Sequence, residues 1–115
     1  MKILIVDDDP AIRMLYKEEL EDEGYTVIVA SSGEEALKLF DDESPDVVTL
    51  DILMPGMDGI QVLRHMKEKN PQLPIIMSTA YDYRDDFAVW ASEAYIVKSA
   101  DLTQLKETIK NLSEK

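Results

Sequence analysis

The sequence predicts a three-layer α/β sandwich, a five-stranded parallel sheet covered by helices on both faces. Three observations predict it. Five short apolar runs, mostly rich in Ile and Val, recur along the 115 residues, as in strands covered on both faces. Segments with helical period lie between and after them. Strand then helix, five times, implies parallel strands joined by right-handed crossovers.

The first run is "ILIV" (3–6). In 10–23, Ile12, Leu15, Tyr16 and Leu20 form an i, i+3, i+4, i+8 stripe, opened by Asp9 as N-cap and Pro10, and closed by Gly24. "YTVIVA" (25–30) is the second strand. Ala36, Leu37 and Phe40 stripe the helix at 33–43, with a capping box from Ser32 to Glu35. "VVTL" (47–50) follows, and Pro55, Gly56 and Gly59 read as turn chemistry that folds the next loop back. Val62, Leu63 and Met66 mark a third helix opened by Asp58 or Gly59, with His65 on its surface. "PIIMS" (74–78) is the fourth strand. The segment "DYRDDFAVWAS" (82–92) has few period matches, so the fourth of five helices is expected to be short or irregular, with Phe87 and Trp90 either packing on the sheet, the favoured reading, or forming a partner patch. "AYIV" (94–97) is the fifth strand. Leu102, Leu105, Ile109 and Leu112 stripe the last helix, with Asp101 and Gln104 as its start signal. The methionines at 14, 54, 57, 66 and 77 read as core or loop filling.

The bulk properties narrow the function. Residues 1–115 read as a single domain, with 45% apolar residues to build its core. Without cysteine there is no disulfide, thiolate nucleophile or cysteine metal site, which suits a cytoplasmic protein. No apolar stretch approaches the roughly 20 residues of a membrane helix, and the acids after "MKILIV" argue against a signal peptide. Acids outnumber bases 24 to 12, a formal charge of −12. That surface repels phosphate backbones and argues against direct nucleic-acid binding, while suiting divalent cations and a basic protein partner.

In such open sheets, ligands sit beyond the carboxyl ends of the strands, where strand order reverses. The residues delivered there are Asp7, Asp8 and Asp9 after the first strand, Asp51 after the third, Ser78 and Thr79 at the fourth, and Lys98 after the fifth. Asp9 is better explained as an N-cap, and Ser78 as a structural neighbour. Gathered carboxylates repel by roughly 4 kcal/mol per pair at about 4 Å and an effective dielectric of about 20. Either a proton is taken up or a divalent cation is bound. Hard oxygen ligands favour Mg²⁺, with Mn²⁺ as a substitute, and one histidine with no cysteine argues against zinc. A lysine and a hydroxyl facing that cluster suit a phosphoryl group, with Asp51 as the nucleophile that forms an acyl phosphate.

The segments "ILIVDDD" (3–9), "DVVTLDILMPGMDG" (46–59), "IIMSTA" (75–80) and "AYIVK" (94–98) resemble, in order and each at a strand end, the receiver domain of bacterial two-component response regulators. The resemblance runs over essentially the whole chain. It implies a flavodoxin-like fold with strand order 2-1-3-4-5 and Mg²⁺-dependent transfer of phosphate from a kinase phosphohistidine to Asp51. It also implies direct Mg²⁺ ligation by Asp8, Asp51 and the Leu53 carbonyl, with Asp7 acting mostly through water. Thr79 becomes the switch hydroxyl, Lys98 the phosphate-pairing base and Tyr95 the aromatic that changes exposure on activation. The expected partners are a sensor histidine kinase or phosphotransfer protein, with a second copy of the chain as a candidate on phosphorylation.

Two departures stand out. Ser99 follows Lys98 where the family usually has proline, so the bond is either trans with a re-routed loop or a strained cis bond. The 16 positions from Thr79 to Tyr95 are a few fewer than the family commonly allots, and the shortening falls on 82–92. Leu53 and Tyr81, each two residues beyond a site residue, are bulky enough to shield an acyl phosphate from water. Two competing readings make different demands on these residues. A phosphatase or phosphotransferase resembling haloacid dehalogenases needs a second Asp where Leu53 stands. A degenerate receiver serving as a phosphorylation-independent binding module has no need of intact Asp7, Asp8, Asp51, Thr79 and Lys98.

Overall fold

The computed structural model describes residues 1–51, 59–79, 94–97 and 102–113. Five strands, β1 (Lys2–Val6), β2 (Thr26–Ala30), β3 (Val47–Leu50), β4 (Ile75–Thr79) and β5 (Ala94–Val97), form one sheet in the order β2-β1-β3-β4-β5. Every pairing is parallel. The helices of the described residues are α1 (Pro10–Asp22), α2 (Gly33–Glu43), α3 (Gly59–Lys69) and α4 (Thr103–Ser113). The helix expected at 82–92, with Phe87 and Trp90, lies outside the described residues. So do Asp58, Asp101, and the turn residues Pro55 and Gly56.

Strand alternation assigns the two core layers. Leu4, Val6, Val48, Leu50, Ile75 and Met77 pack with Ala36, Val62, Leu63 and Met66 on the α2/α3 side. Ile3, Ile5, Val47 and Ile76 pack with Tyr16, Leu20, Leu105 and Ile109 on the α1/α4 side. Burial on both faces of β1 and β3 explains why they read as unbroken apolar runs rather than as alternating ones.

The helix ends follow the capping residues, with one adjustment. Asp9 caps α1, its Oδ1 accepting the Ala11 N–H at 2.9 Å with Pro10 opening the helix. Beyond the end of α1, Gly24 takes φ +94°, a conformation that costs a residue with a Cβ. Ser32 caps α2 by accepting the Glu35 N–H at 3.2 Å, but Glu35 Oε1 reaches one residue further back, to the Ser31 N–H at 2.9 Å. At the far end of α2, Ser44 is in the left-handed region at φ 48°. The Leu102 carbonyl accepts the Lys106 N–H at 2.9 Å, which closes the first turn of α4. Leu102 is itself buried in the α1/α4 core layer.

Two side-chain expectations resolve differently. His65 is exposed on α3, as expected. Met14 is not core filling, because it is 64% exposed. Lying two residues from both Ile12 and Tyr16, it falls on the opposite side of α1 from the buried stripe. Between the outer helices, Lys106 Nζ bonds Glu19 at 2.7 Å and lies 3.6 Å from Glu23, tying α4 to α1. No helix of the described residues is long and apolar enough to cross a membrane.

Candidate functional site

The site is assembled by register. Val6 of β1 is paired with Leu50 of β3, so Asp7 and Asp51, the next residues, leave the sheet side by side. The ladder runs on into both. The Asp7 N–H donates to the Ala30 carbonyl at 3.1 Å, and the Asp51 N–H to the Val6 carbonyl at 3.0 Å. With a side-chain period of two, both aspartates share the face of Ile5 and Thr49, the α1/α4 side. Each is therefore a carboxylate carried to the end of an apolar strand.

Asp7 is 2% exposed and Asp51 5%, whereas Asp8 is open to solvent. One carboxylate oxygen from each of the three lies within 4.8 Å of the others. At that separation a pair of unit charges repels by about 3.5 kcal/mol at an effective dielectric of about 20. Two buried acids beside a third need a compensating positive charge, hydrogen bonds or a proton.

The acidic turn is held against the start of α1. Asp7 Oδ1 accepts the Asp9 N–H at 2.9 Å. The Arg13 N–H donates to the Asp9 carbonyl at 3.0 Å, and Arg13 Nη1 donates to the Asp7 carbonyl at 2.8 Å. Sequence reasoning missed Arg13. The available signal was a cation near a helix N-terminus, where the macrodipole disfavours it unless a local acceptor compensates.

The remaining predicted residues are placed only in part. Thr79 is the last residue of β4, paired with Val97, and Tyr95 is paired with Met77. Their backbones thus belong to the two strands beyond β3 on the same side of the sheet. Lys98, which follows Val97 in sequence, lies outside the described residues, as do Leu53, Tyr81 and Ser99.

As a donor set, Asp7, Asp8 and Asp51 fit a hard divalent cation. All three offer carboxylate oxygen, and the exposure of Asp8 leaves room for retained waters. Mg²⁺ demands such oxygen ligands and keeps several of its waters, whereas zinc prefers the nitrogen and sulfur donors that this group lacks.

The family model described as "response regulator receiver domain" matches residues 3–110. Among curated proteins, the chain is 46% identical over 85 residues to the alkaline phosphatase synthesis transcriptional regulatory protein PhoP of Bacillus subtilis, covering 74% of this chain and 35% of that protein. It is 37% identical over 112 residues to sporulation initiation phosphotransferase F of the same organism, covering 95% of this chain and 90% of that one. The chain thus spans about a third of PhoP but nearly all of the phosphotransferase. Among solved structures, response regulator TrrA of Thermotoga maritima in complex with Mg²⁺–BeF superposes with a TM-score of 0.94 at 48% identity, covering 96% of this chain and 97% of that one. TrrA in complex with the histidine kinase ThkA gives 0.91 at the same identity and coverage.

Proposed function

This chain belongs to the response regulator receiver domain family, and we propose that it accepts a phosphoryl group on Asp51. The donor is the phosphohistidine of a sensor histidine kinase or of a phosphotransfer protein. The observation that carries this reading is the convergence of the Asp7, Asp8 and Asp51 carboxylates within 4.8 Å at the carboxyl edge of the sheet. The Mg²⁺ in the TrrA complex, at 48% identity, supports the choice of cation, and the ThkA complex supports the class of donor.

Asp8 and Asp51 would hold Mg²⁺ directly, with the Leu53 carbonyl, and Asp7 through water. Bound there, Mg²⁺ offsets the mutual repulsion of the carboxylates and withdraws charge from phosphoryl oxygens. An Asp51 carboxylate oxygen attacks phosphorus. A P–O bond forms as the P–N bond to the donor imidazole breaks, and the electron pair returns to the ring nitrogen. Lys98 neutralises a phosphoryl oxygen, and the Thr79 hydroxyl donates a hydrogen bond to another. Movement of Thr79 toward the new group, with Tyr95 changing its exposure, alters the partner-binding surface. Water later attacks phosphorus, the P–O bond to Asp51 breaks, and inorganic phosphate leaves with the carboxylate restored. Leu53 and Tyr81 shield against that step, so the phosphoryl group is expected to last minutes or longer.

Residues 1–115 act in this reading as one receiver unit in the cytoplasm, catalysing only their own phosphorylation and dephosphorylation. A second copy of the chain is a candidate partner after phosphorylation. The charge of −12 disfavours contact with nucleic acid. The test is incubation with acetyl phosphate, with and without Mg²⁺, followed by intact-mass measurement of the native chain and Asp51→Asn. One added phosphoryl group that requires both Mg²⁺ and Asp51 is the expected result. No adduct, together with no Mg²⁺ binding, favours a phosphorylation-independent binding module instead.

A further inference from the structure

We propose that Arg13 is a positioning residue for the cation site, holding the acidic turn in a cation-ready shape through its bond to the Asp7 carbonyl. This rests on the reading of Asp7, Asp8 and Asp51 as a Mg²⁺ site. The Asp7 carbonyl belongs to the peptide unit that joins Asp7 to Asp8. A peptide unit is planar, so its orientation fixes the direction in which the chain leaves toward Asp8. The Asp7 N–H is already tied to Ala30 in the sheet, and Asp7 Oδ1 to the Asp9 N–H. Neither of those bonds holds the Asp7–Asp8 peptide unit itself, and Arg13 Nη1, 2.8 Å from its carbonyl oxygen, does.

Arg13 is itself well placed to hold. Its backbone N–H is bonded to the Asp9 carbonyl at 3.0 Å, inside the turn that Asp9 caps, and its side chain is half-buried. The guanidinium therefore links the helix start to the peptide that leads into Asp8, the one acidic residue of the three that is open to solvent. Without the link, the peptide plane can rotate and Asp8 can swing away from its neighbours, which their mutual repulsion favours.

Charge and position make opposite demands here. On Coulomb attraction alone, removing a cation beside three carboxylates tightens Mg²⁺ binding. If Arg13 acts by orientation, removing it weakens binding, as loss of outer-sphere support does at other metal sites, by about tenfold to a hundredfold. The sign of the effect separates the two.

The experiment is calorimetric titration of Mg²⁺ into the native chain, Arg13→Ala, Arg13→Lys and Arg13→Gln, with the urea midpoint of each measured in EDTA. The expected result for Arg13→Ala is binding weaker by about tenfold, the low end for outer-sphere partners. Arg13→Lys, which keeps a charged donor, recovers most of the loss at an unchanged urea midpoint. Equal or tighter binding by Arg13→Ala overturns the assignment. If Arg13→Ala does not fold, the other two decide. The assignment requires Lys to bind more tightly than Gln, and the reverse order or equal binding overturns it. A native chain that binds no Mg²⁺ overturns the underlying reading of the site, and this proposal with it.

Discussion

Replacing Asp51 with Asn should stabilise the metal-free protein while abolishing its chemistry. Asn has nearly the shape of Asp but no charge. Asp51 and Asp7 are both buried, and their nearest oxygens are no more than 4.8 Å apart, so that pair contributes about 3.5 kcal/mol of repulsion at an effective dielectric of about 20. The pair with exposed Asp8 is weakened by water to below roughly 1 kcal/mol. Against this stands the loss of charge-assisted hydrogen bonds to the carboxylate, about 1.5–3 kcal/mol. The balance is a gain of about 1–2 kcal/mol, which in urea raises the midpoint by roughly 0.5–1 M. The assay is equilibrium urea unfolding in EDTA and again in millimolar Mg²⁺. In Mg²⁺ the native chain should gain about 1.4 kcal/mol for each tenfold excess over its dissociation constant, and Asp51→Asn distinctly less. A lower midpoint for Asp51→Asn in EDTA, or equal Mg²⁺ shifts in both proteins, refutes the picture of a repulsive cluster built for a cation.

Ser44 sits in the left-handed region at φ 48°, so Ser44→Gly should raise stability by about 0.5–1 kcal/mol in thermal melts, and Ser44→Val should lower it. Leu63 is fully buried between α3 and the sheet, and Leu63→Ala should cost about 2–5 kcal/mol by urea unfolding. Asp9→Ala removes the cap on α1 and should cost about 1 kcal/mol in the same assay. The hydrogen bond from Lys106 to Glu19, ahead of their mutual attraction and a smaller contribution from Glu23, raises the Lys106 ammonium above its ordinary value of 10.5. Because the folded value is the higher one, the stability that this pair adds is complete below pH 10.5 and lost as pH rises through the folded value. The midpoint difference between the native chain and Lys106→Met should therefore be flat up to about pH 9 and shrink above pH 10.5.

The sheet was legible because its central strands β1 and β3 are covered on both faces. Ile3 to Val6 and Val47 to Leu50 could be read as buried runs without knowing their neighbours, and the acids that follow them marked the carboxyl edge. The pairing of Val6 with Leu50 was less accessible, since register depends on contacts across distant sequence. Yet that register is what makes Asp7 and Asp51 neighbours. Asp9, Ser32 and Gly24 announced the helix ends through local capping chemistry. Met14 was misjudged from hydrophobicity alone, although its position off the Ile12–Tyr16 stripe placed it outward. Arg13 escaped notice because its function lies in one bond to a main-chain oxygen, and no residue pattern encodes such a bond.

The sheet ladder that continues into the Asp7 and Asp51 amides has a consequence for how this molecule opens. Those two protons cannot reach solvent by fraying of a loop, because their acceptors, Ala30 and Val6, are the last residues of β2 and β1. Deuterium exchange at both should require the carboxyl ends of β2, β1 and β3 to part, not loop motion alone. A cation held by the carboxylates stabilises the whole fold, so it would also slow exchange at Leu4, Ile5 and Val48, well inside the protein. The middle of the sheet would thus register occupancy of its own rim.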